Sequence, residues 1–309
     1  MQAPMSADIP FERTFTLPHG QIEEIAPGIR RIVAPNPGPM TFTGTVSYIV
    51  GKGNVAIIDP GPDNESHIGA LLNAVRNETV THIFVTHTHR DHSPAVPLVK
   101  QATGALVLAE GPHRAARPLN IGELNPLDGA SDSAFVPDQA LADGEVIEGA
   151  GWALEAVTTP GHTANHMAFA LRGAETLFSG DHVMGWATSI VAPPDGSMRD
   201  YMESLFKLRA RSESIYLPGH GGAVRDAQRF VQHFIEHREA REAAILRRIS
   251  KEPADIPTLV RSIYIGLDPR LTGAAALSVL AHLEDLVTRG LVITDGSPAI
   301  DGIYRLGAG

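Results

Sequence analysis

Cysteine is absent from this 309-residue sequence. That removes disulfides, thiolate metal ligands and cysteine nucleophiles together, so any metal must be held by histidine and carboxylate. Aromatic residues make up only 6% of the chain, which leaves few rings on which nucleotide bases could stack. Positive charge is scarce too: 25 Lys and Arg stand against 35 Asp and Glu, and the net charge of −10 repels polyanions on average. No basic start followed by an apolar run opens the chain, and no stretch is expected to reach transmembrane length. These absences lead us to expect a soluble, cytoplasmic protein without a membrane partner, free to form a homo-oligomer.

What is present is an ordinary globular composition, 43% hydrophobic and 19% charged, over a length that suits two domains. The runs "VSYIV" and "VAIID", separated by "GKGN", predict a β-hairpin. Ile68, Leu71, Leu72 and Val75 predict a helix between Glu65 and Arg76, and "HIFVTH" predicts a buried strand. A helix is expected after Pro94 and a strand at "ALVLAE". Residues 111–138 show no sustained period and read as a long surface excursion, whose Arg114 and Arg117 are expected on a substrate rim. Strands resume at "LEAVTTPGH", "MAFAL" and "TLFSGD", followed by a helix around Met198–Arg211 and the strand "SIYLPGHG".

The chemistry concentrates in "FVTHTHRDHSPA", where three histidines and an aspartate fall within six positions. In an extended stretch alternate side chains share a face, so His87 and His89 can grip one ion while Asp91 and His92, past the bend, turn to a second. Three later strand ends each add a group beside a glycine: His162, Asp181 and His220. That inventory suits a pair of divalent ions about 3.5–4 Å apart.

The string H-x-H-x-D-H, followed in order by "TPGHT", "SGD" and "PGHG", resembles the metallo-β-lactamase superfamily over roughly Pro27–Arg225. The resemblance implies an α/β fold, an αββα sandwich with metals at the sheet edges. It also implies one metal site of His87, His89 and His162, a second of Asp91, His92 and His220, and Asp181 as the bridge. Asp59, ending "VAIID", matches the aspartate that orients a ligand histidine from behind. Nitrogen-rich ligation without cysteine favours two zinc ions, with manganese or iron able to substitute.

"NPGPMTFTGTVSYIVG", "TPGHTANHMAFAL" and "PDGSMRDYMESL" resemble the lactamase-beta-like branch, which carries a C-terminal helical domain and includes a single-stranded RNA endonuclease. Val46 stands where that branch usually has asparagine. Of the remaining histidines, His166 is the candidate leaving-group acid, His182 reads as a core residue, and His67, His82 and His113 read as surface or structural.

We therefore expect a catalytic domain over residues 1–235 and a winged-helix-like domain over 236–309. The latter holds nine Lys or Arg and ten Asp or Glu, a difference of −1, and its would-be recognition helix, Ala274–Gly290, carries Glu284 and Asp285 against Arg289. A duplex-DNA reader needs cations on that helix, so a packing or lid role is expected. The expected enzyme is a metal-dependent hydrolase in which a bridging water is driven toward hydroxide and Asp91 accepts its hydrogen bond. A small ester, thioester or lactone leads as substrate; RNA is the alternative, and so is a persulfide dioxygenase with one iron on His87, His162 and Asp181.

Overall fold

The computed structural model describes residues 9–120 and 123–307, so Ile121 and Gly122 of the surface excursion lie outside it. Seven strands follow chain order in the first sheet: β1 (Ile22–Ala26), β2 (Ile29–Val33), β3 (Val46–Lys52), β4 (Asn54–Ile58), β5 (Thr79–Phe84), β6 (Leu106–Ala109) and β7 (Gln139–Ala140). Pairing is antiparallel up to β4 and parallel beyond it. The β3–β4 hairpin is the expected one. The β1–β2 hairpin was not legible, because "IEEIA" and "IRRIV" carry charges that only the cross-strand pairing of Glu23 with Arg31, 2.7 Å apart, explains.

A second, six-stranded sheet contains β8 (Val146–Gly149), β9 (Trp152–Thr158), β10 (Met167–Leu171), β11 (Thr176–Gly180), β12 (Ile215–Pro218) and β13 (Val224–Arg225), in the order β13-β12-β11-β10-β9-β8. The sheets face each other through Val46, Tyr48, Phe84, Trp152, Phe169 and Phe178. Each such buried side chain contributes roughly 1.5–3 kcal/mol. Helices α1 (Glu65–Ala74) and α2 (Val96–Thr103) cover the outer face of the first sheet with Ile68, Leu71 and Val99. Helices α3 (Met198–Arg209) and α4 (Ala227–Ile249) cover the second with Tyr201, Leu205, Phe230 and Phe234. The result is the αββα sandwich. Capping fixes where two of these helices begin: Asn64 accepts the His67 N–H at 3.0 Å and Ser197 the Asp200 N–H at 3.3 Å.

Strand direction decides where function gathers. β9, β10 and β11 alternate in direction and β12 runs parallel to β11, so β9, β11 and β12 all end at one edge of the second sheet. The two sheets meet there, since the Met167 N–H donates to Thr86 O at 2.8 Å and the Val46 N–H to Gly219 O at 2.8 Å.

α4 runs unbroken from the sandwich into the C-terminal unit. Its Phe234 and Ile235 pack in the core of the second sheet, whereas Ile245 and Ile249 join a separate core with α5 (Ile256–Ile263) and α6 (Thr272–Thr288). Strands β14 (Ala254–Asp255), β15 (Val292–Ile293) and β16 (Ile303–Leu306) complete that unit in the order β14-β16-β15. Contrary to the sequence expectation, one segment, Pro269–Thr288, is long and apolar enough by composition to cross a membrane. Packing accounts for its apolarity: Ala275, Val279, Leu283 and Leu286 fill the C-terminal core and Ala281 reaches the sandwich.

His67 is fully buried on α1 with Ser47 Oγ 2.9 Å from its Nε2, and burial pushes its pKa down to about 4. The folded chain thus refuses a proton that the unfolded chain takes up near pH 6.5. This contribution is complete above the unfolded value and is lost as pH falls toward the folded one, by up to about 3 kcal/mol. Urea unfolding of a His67→Gln variant is expected to show a flatter acid limb than wild type; identical limbs would clear His67 of this role.

Candidate metal centre

β5 ends at Phe84, and the turn that follows aims its side chains across the edge where the two sheets meet. His87 Nε2 lies 3.0 Å from His89 Nδ1, which lies 3.1 Å from His162 Nε2, so three ring nitrogens face one point. Beside them Asp91 Oδ2 lies 3.4 Å from His92 Nε2 and 3.1 Å from His220 Nε2. Asp181 touches both groups. Its Oδ2 is 3.3 Å from His220 Nε2 and 3.7 Å from His162 Nε2, and its Oδ1 is 3.6 Å from His92 Nε2.

Hydrogen bonds at the far side of the rings settle which nitrogen points inward. Asp59 Oδ2 takes the His92 Nδ1 proton at 2.8 Å, and Ile190 O that of His162 Nδ1 at 2.6 Å. Thr86 Oγ1 lies 3.0 Å from His87 Nδ1 and Gly44 O 3.3 Å from His220 Nδ1. Each turns its Nε2 toward the common space, where the neutral ring would offer it to a cation. Asp59 is itself held in a left-handed conformation, φ 50°, and accepts the backbone N–H and the hydroxyl of Thr86, both at 2.7 Å. Aspartate tolerates that region better than most residues.

Charge divides the cluster. Burial and the neighbouring imidazoles push His87 well below its ordinary value, and burial first, then His162, takes His89 down to about 3. Burial also opposes a charge on His220, but Asp181 and Asp91 overcome it and hold that ring up at about 10; His92 is raised for the same reason. Those histidines in turn keep both carboxylates well below the usual range despite burial.

A cation fits this arrangement. His92 Nε2 and Asp181 Oδ1 are buried without a hydrogen-bond partner, each a cost of about 1–3 kcal/mol if nothing binds there. His92 Nε2 and Asp181 Oδ1 face each other, and ligation would satisfy both. The local glycines keep the space open: a Cβ on Gly219 would sit 2.6 Å from Asp181 Oδ1 and from His92 Cε1, and one on Gly180 2.6 Å from His166 Nε2.

Residues 40–220, a span that contains all seven of these side chains, match the family model of the metallo-beta-lactamase superfamily. The chain belongs to this superfamily. It is 30% identical over 277 residues to a beta-lactamase-like protein 2 homolog of Caenorhabditis elegans, covering 88% of each chain. It is 31% identical over 232 residues to an atrochrysone carboxyl ACP thioesterase of Aspergillus fumigatus, covering 73% of this chain and 66% of that one. Among solved structures, a beta-lactamase domain protein from Burkholderia ambifaria shares the fold with a TM-score of 0.78 at 20% identity, over 99% of both chains. Residues 256–301 match the beta-lactamase associated winged helix domain. The protein is thus a metallo-β-lactamase-fold enzyme, a hydrolase of that superfamily, with a His/Asp cluster able to bind metal.

In this member of the superfamily the helix that a DNA-binding winged helix would insert into a groove is tied to the sandwich. Glu284 on α6 pairs with Arg117 at 2.5 Å, and Asp285 with Arg199 at 3.1 Å. Arg117 also pairs with Glu123 at 2.7 Å, and Arg114 pairs with Glu110 and donates to Ala164 O at 3.0 Å. The expected substrate rim is therefore revised: Arg117 staples the excursion to α6, and Arg114, though partly exposed, already has a counter-charge.

His166 needs correction too. It is fully buried, its Nε2 accepts the Asp181 N–H at 3.2 Å and its Nδ1 lies 2.8 Å from Thr159 Oγ1. With both nitrogens engaged it positions Asp181 and has no proton to give a leaving group. His182, its ring tilted 38° to that of Tyr201 with the centres 4.4 Å apart, is a core residue as expected. Thr45 was missed: its hydroxyl donates to Asp91 Oδ2 at 3.1 Å and is held by Asn36. So was Asp195, which binds Ser131 and Asn125 beneath the bridge between His89 and Ser131. Both lie inside quoted segments, Thr45 in "NPGPMTFTGTVSYIVG" and Asp195 in "PDGSMRDYMESL", but residue type alone did not mark their contacts.

Proposed function

We propose that this enzyme is a dinuclear metallohydrolase, most suited to zinc, that cleaves thioesters or related activated esters. The observation that carries the proposal is Asp181, one carboxylate in contact with two complete three-residue donor groups. When bound, two divalent ions supply a water acidic enough to attack at neutral pH and polarisation of the scissile carbonyl. The chain's own residues do the rest. Asp91, at 24% side-chain exposure the more open of the two carboxylates, would accept a hydrogen bond from the attacking water, while Thr45 fixes its orientation.

Leaving-group chemistry supports a thioester. With His166 sealed away, a group that departs as a stable anion is favoured. A thiolate, with a pKa near about 8.5, does so far more readily than an alkoxide. The thioesterase among the relatives points the same way. The overall charge of −10 and the pairing of Arg114 and Arg117 with carboxylates weigh against an RNA substrate.

The test joins elemental analysis to a substrate screen. About two transition-metal ions per chain are expected, together with hydrolysis of N-acetylcysteamine thioesters that a chelator suppresses at least about a hundredfold and zinc restores. A single iron with oxygen uptake would favour the dioxygenase, and cleavage of single-stranded RNA without thioester turnover would favour the nuclease.

A further inference from the structure

Between the sandwich and the C-terminal unit lies a cavity of about 190 Å³ whose apolar wall includes Met40, Trp186, Ile190, Leu267 and Leu271. Its wall adjoins the metal centre, because Ile190 O accepts the His162 Nδ1 proton at 2.6 Å. Arg238 of α4 also lines it and is 3% exposed. The guanidinium has only neutral partners: it donates to Ser278 Oγ at 3.2 Å and to Ser189 O, and it lies 5.1 Å from the centre of the Tyr201 ring. Its Nε has no partner, and the same is true of the buried indole Nε1 of Trp186. A buried cation without a counter-charge is unfavourable. Arg238 and Trp186 both line this largely apolar cavity, and an anionic oxygen bound there is the group that would offset the charge of Arg238.

We infer that this cavity receives the acyl part of the substrate and that Arg238 and Trp186 bind a carboxylate carried on it. The substrates would then be thioesters or esters of apolar acids that bear a second, free carboxylate. The assignment to the acyl part rests on the hydrolase reading; the carboxylate site does not.

Binding can be read without turnover. Trp186 is one of only two tryptophans, and Trp152 is buried between the sheets, so titration of the holoenzyme with hexanoate is expected to change Trp186 fluorescence saturably. Hexanamide, equal in shape and uncharged, should bind at least about tenfold more weakly, and Arg238→Gln should weaken hexanoate by a similar factor. Because Arg238 lies at a domain contact, an Ala274→Phe variant that fills the cavity from its rim provides a second check and should abolish the signal. Equal affinity for acid and amide would overturn the proposal. So would hexanoate binding that survives Ala274→Phe and disappears with chelator, which would place it on the metals. Hexanoate binding without thioester turnover would defeat the hydrolase reading alone, and turnover without binding would defeat this one alone.

Discussion

An Asp181→Ala variant is expected to lose at least about a thousandfold in kcat/KM and to retain about one metal ion where wild type holds two. Asp181 is the side chain that both donor groups share, 3.7 Å from His162 Nε2 and 3.6 Å from His92 Nε2. Its removal does more than delete a ligand. Without metal, His92 and His220, whose hold on a proton the carboxylates around them strengthen, would lose a neighbouring negative charge in a fully buried setting. Breaking a buried pair in this way costs about 3–5 kcal/mol. The metal-free variant should accordingly melt well below metal-free wild type. Two tightly bound ions and near-normal turnover in the variant would show that the carboxylate does not bridge.

Asp59→Asn should weaken metal binding by about 10- to 100-fold while leaving all seven candidate ligands in place. Asp59 accepts three hydrogen bonds with two oxygens: from the Thr86 N–H, the Thr86 hydroxyl and His92 Nδ1. An amide keeps one acceptor and turns the other into a donor. Either His92 flips its tautomer and spends its Nε2 lone pair, or the Thr86 hydroxyl loses its acceptor and releases His87. Isothermal titration with zinc against a competing chelator reads the affinity directly. A wild-type dissociation constant in the variant would mean that the rings are oriented by packing alone.

Much of the centre was legible in the sequence because ligand chemistry is written in residue types. Only a handful of side chains can hold a divalent ion without cysteine, and strand ends with flanking glycines told where they would gather. The strands followed from short apolar runs, and the sandwich was what the family resemblance implied. What escaped depends on direction and distance. His166 looked available because it lies four residues after His162, but only the fold shows its two nitrogens already taken. Arg117 looked like a rim residue until α6, more than 150 positions later in the chain, supplied Glu284. Thr45 and Ile190 act through a hydroxyl and a backbone carbonyl, groups too common to stand out.

The seven candidate ligands come from opposite halves of the sandwich. His87, His89, Asp91 and His92 follow β5 in the first sheet, and His162, Asp181 and His220 follow β9, β11 and β12 in the second. Each donor group draws on both halves, so an ion in either one would be a clasp between sheets that otherwise meet through apolar side chains and a few hydrogen bonds. Prising the sheets apart then requires giving up the ions, and their binding free energy adds to the resistance against opening. Loading with metal should therefore slow unfolding and proteolysis while leaving the resting shape unchanged. In a cell short of metal, this enzyme would become short-lived as well as idle.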